Sequence, residues 1–204
     1  MDTKKKISNG TTIIAYKFKD GIIVNADSRT SSDTRIANRV QRKIVQFNEH
    51  VLVACSGSAA DTRFLCRIIR ENIYQHELEL GKPALVRTVA KLFSIYNHQY
   101  KNVLLAGLLV CGYDEEGYHC FKVLPGGTFV EDNIVMSGSG STYVYGIADS
   151  EFKMDLDRNQ AVELGKKMIH LAAFRDGSSG GIHRWAFVET GKVTGDVDNW
   201  EVLM

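Results

Sequence analysis

Apolar positions along the chain switch between strand-like and helix-like spacing, and each switch marks an element boundary. Thr11 to Phe18 is rich in β-branched residues, Asp20-Gly21 is a turn signal, and Ile22 to Ala26 is a second apolar run, so a β-hairpin is predicted with its N-terminus at Thr11. A second hairpin is predicted from Lys43 to Phe47, through Asn48-Glu49-His50, and back as Val51 to Cys55. Ser56-Gly57-Ser58 then reads as a tight turn leading into a helix.

From Ala59 the spacing is helical, with Phe64, Leu65, Ile68, Ile69 and Ile73 on one side and Arg63, Arg67, Arg70 and Glu71 elsewhere. Pro83 is expected to start a second helix, whose stripe is Leu85, Val89, Leu92, Phe93 and Tyr96. Leu104 to Tyr113 is almost continuously apolar and Tyr118 to Val123 alternates, which predicts a third hairpin whose first strand is buried on both faces. Ile134 to Met136 reads as a short strand, Tyr143 to Ala148 as a brief helix, and Asn159 to Phe174 as a longer one. A last hairpin runs from Ile182 to Glu189, turns at Thr190-Gly191 and returns from Lys192. Strands, two helices, strands, two helices and strands do not fit a βαβ alternation. The order fits an α+β sandwich in four layers, αββα, of two antiparallel sheets between helix layers.

Composition narrows the reading. At 204 residues, one domain is expected. Twenty-five Lys and Arg against 24 acidic residues give a formal charge of +1, which offers no global footprint for nucleic acid or an anionic membrane, so neither is expected as a partner. No apolar run is long enough to span a bilayer, and MDTKKKISNG at the N-terminus has a basic start but no apolar h-region, so a soluble intracellular protein is expected. Cys55, Cys66, Cys111 and Cys120 form no C-x-x-C pair and sit in apolar stretches, so they are read as reduced core thiols.

The chemistry gathers at strand ends, where a rigid scaffold presents functional groups. Gly10-Thr11-Thr12 precedes the first predicted strand, Asp27-Ser28-Arg29 follows the second, Lys43 opens the third and Ser56-Gly57-Ser58 closes the fourth. Gly138-Ser139-Gly140-Ser141 and Arg175-Asp176-Gly177-Ser178-Ser179-Gly180-Gly181 complete the set. No lysine follows the glycines of either stretch, so neither is a phosphate-binding P-loop.

With these motifs in this order, the sequence resembles the proteasome β-subunits from Thr11 to about the last hairpin. Ile36 to Val40 and Ser56 to Thr62 look most like the β1 branch, the caspase-like type. The resemblance implies the N-terminal nucleophile hydrolase fold, a peptidase domain over residues 11–204, and a propeptide over residues 1–10. It implies a threonine endopeptidase in stacked seven-membered rings with other α and β subunits, acting on unfolded, ubiquitin-targeted polypeptides in cytoplasm and nucleus. It implies no cofactor and no metal.

What the resemblance implies for single residues is chemically coherent. A threonine hydroxyl needs a base, and an N-terminal threonine carries one in its α-amine, with a reference pKa of about 7.7 to 8.0. Thr11 would therefore become the nucleophile only after autolytic cleavage of Gly10–Thr11. Lys43 would place a positive charge beside the hydroxyl, and Asp27 would fix Lys43. The Gly57 N–H would stabilise the oxyanion, while Ser139, Asp176 and Ser179 would surround the threonine amine.

The specificity pocket implied by the resemblance is walled by Thr30, Gln41, Val45, Cys55, Ala59 and Arg63. Cys55 stands where the β1 branch usually has a basic residue, which weakens the expected preference for cleavage after acidic residues. Arg63 is the candidate for a compensating charge. Two other readings stay open from the residues: a structural β-type subunit without chemistry, and another N-terminal nucleophile amidohydrolase.

Overall fold

The structure, a computed structural model, describes residues 10–32 and 35–203. Its strands are β1 (Ile13–Phe18), β2 (Gly21–Ala26), β3 (Thr30–Ser32), β4 (Arg35–Asn38), β5 (Ile44–Gln46), β6 (Val51–Gly57), β7 (Ala106–Asp114), β8 (Gly117–Val123), β9 (Phe129–Glu131), β10 (Ile134–Ser137), β11 (Ile182–Glu189) and β12 (Lys192–Val202). The helices are α1 (Ala59–Leu80), α2 (Val86–Gln99), α3 (Tyr145–Glu151) and α4 (Arg158–Arg175). One five-stranded sheet has the order β10-β1-β2-β11-β12 and the other β5-β6-β7-β8-β9, both antiparallel throughout.

Three apolar layers hold this stack together, and they follow the strand period of two. In β1, Ile13 and Ala15 face the other sheet with Leu52, Ala54, Leu109 and Cys111, whereas Ile14 and Tyr16 face α4 through Ala161, Met168 and Ala172. In β6, Val51 and Val53 turn the other way and meet Leu65 and Ile69 of α1 and Phe93 of α2. The result is α1/α2, sheet, sheet, α3/α4, the αββα sandwich. Large side chains such as Phe93, Phe121 and Phe187 are fully buried, each worth about 1.5–3 kcal/mol of burial.

The hairpins and the long helices form where their patterns predict. α1 has Ser58 as N-cap, accepting from the Asp61 N–H, and Gly81 as a left-handed C-cap; α4 opens on a capping box between Asp157 and Gln160. Three details differ from the sequence reading. Pro83 does not start α2, which begins at Val86, where the Val86 N–H donates to Asp114 Oδ2 at 2.8 Å. A distant carboxylate does the capping there, so no local signal marks the start. The brief helix begins as a 3-10 turn over Ser139–Tyr143 before α3. The β3–β4 hairpin and β9 were unforeseen; β4 is exposed along its length, so backbone pairing forms it without apolar alternation. Among the described residues, no helix is long and apolar enough to cross a membrane. Except for Gly10, the expected propeptide lies outside the described residues.

Candidate active site

The first hairpin places Thr11 and Asp27 at one end of the sandwich. Its β1–β2 register, with Ile13 opposite Ala26, sets Thr12 opposite Asp27, and the Asp27 N–H donates to Thr12 O at 3.1 Å. The Asp27 side chain is fully buried and collects four donors. These are Thr12 N at 2.8 Å and Lys43 Nζ at 2.7 Å on Oδ1, and Arg29 N at 3.1 Å and Gly180 N at 2.9 Å on Oδ2. A carboxylate that only accepts is the species such a cage favours.

Lys43 enters just before β5 from the opposite sheet, and only 5% of its surface is exposed. Its ammonium donates to Asp27, to Thr11 Oγ1 at 3.1 Å and to Gly10 O at 3.2 Å, which uses its three protons. Burial pulls the Lys43 ammonium below the usual lysine range, and the Asp27 charge opposes that shift. Burial likewise pushes the Asp27 carboxyl up against the pull of Lys43. The four donors on Asp27 and the three acceptors around Lys43 favour the charged pair. Thr11 Oγ1 thus sits beside a fixed positive charge, an arrangement that favours loss of its proton.

On its other side, Thr11 meets the second polar group. The Thr11 N–H donates to Ser139 Oγ at 3.2 Å, and Ser139 Oγ donates to Asp176 Oδ2 at 2.7 Å. Ser179 Oγ also donates to Asp176 Oδ2 at 2.7 Å, but its second contact is Thr12 Oγ1 at 2.8 Å. Ser139 therefore touches the nitrogen of Thr11, whereas Ser179 acts one residue away. Thr11 Oγ1 itself donates to Gly10 O at 2.5 Å.

Gly57 closes β6 with φ +94°, and a Cβ there would lie 2.4 Å from Leu105 O. Only glycine fits both conditions. By strand alternation the Gly57 N–H points to the same edge as that of Cys55, which donates to Lys43 O at 2.8 Å. β5 ends its pairing there, so the Gly57 N–H faces the open space beside Lys43.

That space is a cavity of about 210 Å³ reaching from Gly10, Thr11 and Lys43 to α1. Thr30, Gln41, Val45, Cys55, Ala59 and Arg63 all line it, so the fold brings together every residue expected in the pocket. Thr62, Cys66, Arg67 and Arg70 line it as well, and the sequence reading missed their place. The three-, four- and seven-residue spacing of Cys66, Arg67 and Arg70 from Arg63, and the three-residue spacing of Thr62 from Ala59, was the signal that could have found them. Cys66, Cys111 and Cys120 are buried free thiols as expected, but Cys55 is half-buried and faces the cavity, not the apolar core alone. The backbone donors of Arg29 and Gly180 to Asp27 were also missed, because a backbone N–H leaves no mark in sequence. Among the described residues, no cluster of three or more His, Cys, Asp or Glu side chains is arranged to hold a metal ion.

Known proteins share this arrangement of sequence. The family model described as "Proteasome subunit" matches residues 7–188. Proteasome subunit beta type-6 of Dictyostelium discoideum is 39% identical over 181 residues, covering 88% of this chain and 85% of that protein. The probable proteasome subunit beta type-1 of Schizosaccharomyces pombe is 40% identical over 182 residues, covering 89% and 80%. Proteasome subunit beta type-9 of Salmo salar is 34% identical over 178 residues, covering 87% and 82%.

Proposed function

The chain belongs to the proteasome subunit family, among its β-type members, and from that premise we propose that it is a threonine endopeptidase subunit of the 20S core, with Thr11 as nucleophile. Proteasome subunits assemble with other α and β subunits in that core, which is where this chain would work. The observation that carries the proposal is the Lys43 ammonium held between Asp27, at 2.7 Å, and the Thr11 hydroxyl, at 3.1 Å.

In the proposed precursor, the Thr11 oxygen attacks the Gly10 carbonyl carbon, the Gly10–Thr11 C–N bond breaks, and an ester to Thr11 Oγ1 forms. Water then hydrolyses the ester, leaving a Gly10 carboxylate and a free Thr11 amine. Two donors already converge on Gly10 O, from Thr11 Oγ1 and Lys43 Nζ, and both would polarise the carbonyl. The freed amine, held by Ser139, which Asp176 holds in turn, takes the hydroxyl proton as Thr11 Oγ1 attacks a substrate peptide bond. The oxyanion forms beside the Gly57 N–H. Collapse expels the substrate amine, which leaves with the proton, and water releases the acyl group from Thr11.

The names of the similar proteins, beta types 6, 1 and 9, do not single out one kind of subunit. The caspase-like assignment rests on the β1-like segments at Ile36 to Val40 and Ser56 to Thr62 and on the cationic side of the cavity. We also propose cytoplasm and nucleus as its location, on the family resemblance alone. The test is the N-terminal residue of the chain in the assembled particle, read with peptide hydrolysis. Threonine at the terminus and activity lost in Thr11→Ala are expected. An assembled chain that keeps Met1 and contributes no hydrolysis would make it a non-catalytic member of the same rings.

A further inference from the structure

Every charged side chain that lines the cavity beside Thr11 is a cation. Its wall carries Arg42, Arg63, Arg67 and Arg70 besides Lys43, and no Asp or Glu of the described residues lines it. Lys43 is answered by Asp27 at 2.7 Å. Three of the arginines stand on α1 at positions i, i+4 and i+7, so they share one face and span about 10 Å of helix axis at 1.5 Å per residue. Arg70 is fixed at the far end: Nε donates to Phe47 O and Nη2 to Gln46 O, both at 3.0 Å, and the guanidinium lies over the Phe47 ring at 5.4 Å. Its Nη1 stays uncommitted among the described residues.

The guanidinium groups of Arg63 and Arg67 make no hydrogen bond or ion pair among the described residues, and Glu71, one turn beyond Arg67 on the same helix, does not pair with it. Like charges at these spacings repel, and an anion among them relieves that repulsion. A carboxylate brings one charge and two oxygens, which a single guanidinium fork satisfies. A phosphate ester brings about 1.5 to 2 negative charges at pH 7 and three terminal oxygens, enough to engage more than one fork. The row on α1 thus offers more donors than a carboxylate uses. Across the cavity, Cys55 on β6 is short and uncharged, so that wall neither fills the space nor adds an acid.

We propose that the cavity accepts phosphoserine as the residue before the scissile bond, so that this subunit cleaves after phosphorylated serine in preference to unmodified serine. Arg63, the nearest of the row to the Gly57 end of the cavity, and Arg67 take the phosphate oxygens by their forks, and Arg70 supplies Nη1 from the far side. The phosphate ester itself does not react. The phosphoserine acyl group passes to Thr11 Oγ1 as the peptide C–N bond breaks and the amine leaves with a proton; water then releases the acyl group, and the product ends in an intact phosphoserine with a new carboxylate. This preference rests on Thr11 acting as the nucleophile and on the cavity receiving the side chain before the scissile bond.

The experiment gives assembled particles matched peptides with phosphoserine, serine, glutamate or leucine before the scissile bond and identifies the products by mass. Turnover due to this chain is the part that Thr11→Ala abolishes. Cleavage after phosphoserine should be at least about tenfold faster than after serine, and Arg67→Ala should lower it at least about tenfold, a larger fall than that of cleavage after glutamate. Arg67→Lys, which keeps the charge and loses the fork, should recover only part. Cleavage after phosphoserine that is no faster than after serine, or that Arg67→Ala leaves unchanged, overturns the proposal, while turnover of the glutamate or leucine peptide keeps the peptidase reading. If Thr11→Ala abolishes no turnover of any peptide, the phosphoserine peptide carrying a fluorophore decides by equilibrium binding. Binding lost in Arg67→Ala sustains the anion site and overturns the peptidase reading; no binding overturns both.

Discussion

The hydroxyl of Thr11 donates to the carbonyl oxygen of Gly10 at 2.5 Å, across the bond that the proposed chemistry must break. The nucleophile is thus poised on its own peptide before it meets a substrate. Thr11→Ala removes the attacking oxygen and should leave residues 1–10 attached with this subunit's hydrolysis abolished. Thr11→Ser, which keeps the hydroxyl, should still be trimmed. Intact mass of the subunit from assembled particles reads both. A trimmed Thr11→Ala chain would falsify the assignment.

Lys43 contributes charge where Asp27 needs a partner and Thr11 a positive field. Lys43→Met keeps much of the volume but leaves the fully buried Asp27 with three backbone donors and no counter-charge. Breaking a buried pair in this way costs about 3–5 kcal/mol. Hydrolysis should fall by at least about a thousandfold even in particles that assemble. Peptide turnover per assembled particle, measured beside thermal unfolding, separates the two effects. Turnover within tenfold of the unmutated particle would remove Lys43 from the mechanism.

Gly10 is fixed by space. A Cβ there would stand 2.0 Å from the Ser178 Cβ and 2.1 Å from the Ser178 O, so the backbone on one side must move. Any movement shifts the Gly10 carbonyl away from Thr11 Oγ1 and Lys43, and an ångström of misplacement costs about a hundredfold in rate. Gly10→Ala should therefore accumulate untrimmed chain. Expression of the chain starting directly at Thr11 should bypass the defect, and failure of that bypass would point to a folding fault instead.

His183 gives the fold a predictable pH dependence. It is fully buried, its Nε2 donates to Asn25 Oδ1 at 3.0 Å, and Nδ1 has no partner among the described residues. Burial, and then the nearby His170 and Lys166, lower its pKa from 6.5 to about 3. The folded state thus binds fewer protons than the unfolded state between those values, so this contribution is fully present above about pH 6.5 and is lost as pH falls toward 3. From about pH 7 to 5 the loss should be about 2 kcal/mol, at roughly 1.4 kcal/mol per unit below 6.5. Thermal unfolding of the Thr11→Ala chain with and without His183→Gln tests it. Equal losses in both would assign the pH dependence to other groups.

The parts of this fold that were legible share a physical cause. β1, β2, β6 and β7 are buried strands bounded by turn residues, and their apolar runs announce them. β3 is a threonine and two serines and β4 is exposed along its length, so neither shows an apolar alternation that composition could reveal. The start of α2 is set by Asp114, which is distant in sequence and adjacent in space. The site divides in the same way. Thr11, Asp27 and Lys43 stand at strand ends within recognisable motifs, whereas the backbone donors of Arg29 and Gly180 and the face of α1 that brings Cys66 and Arg70 to the cavity exist only in the folded chain.

Specificity depends on which cation answers an acidic side chain in the cavity. Cys55 is uncharged and half-buried, so it offers a carboxylate no counter-charge, and an unpaired carboxylate in a partly buried pocket costs several kcal/mol, on the order of 2–5. Arg70 lines the cavity, but its Nε and one terminal nitrogen are committed to Phe47 O and Gln46 O. Arg63 lies one turn into α1, in the cavity wall beside Ala59 and near enough to Cys55 to act on its thiol. Arg42 and Arg67 line the cavity too, but Arg63 is the one whose charge acts on Cys55, so it is the cation we propose meets the substrate carboxylate. Cleavage after Glu should therefore persist, weaker than with a basic residue at position 55. Arg63→Ala should depress it at least tenfold, about 1.4 kcal/mol in transition-state binding, while cleavage after Leu or Val changes little. Cys55→Arg should raise Glu cleavage and make it less sensitive to Arg63→Ala, because two cations would then share one carboxylate. Turnover of matched peptides ending in Glu, Leu and Val by particles carrying each variant decides it. If the unmutated particle fails to cleave after Glu, the cavity selects small or branched apolar side chains, and Arg63 plays no part in specificity.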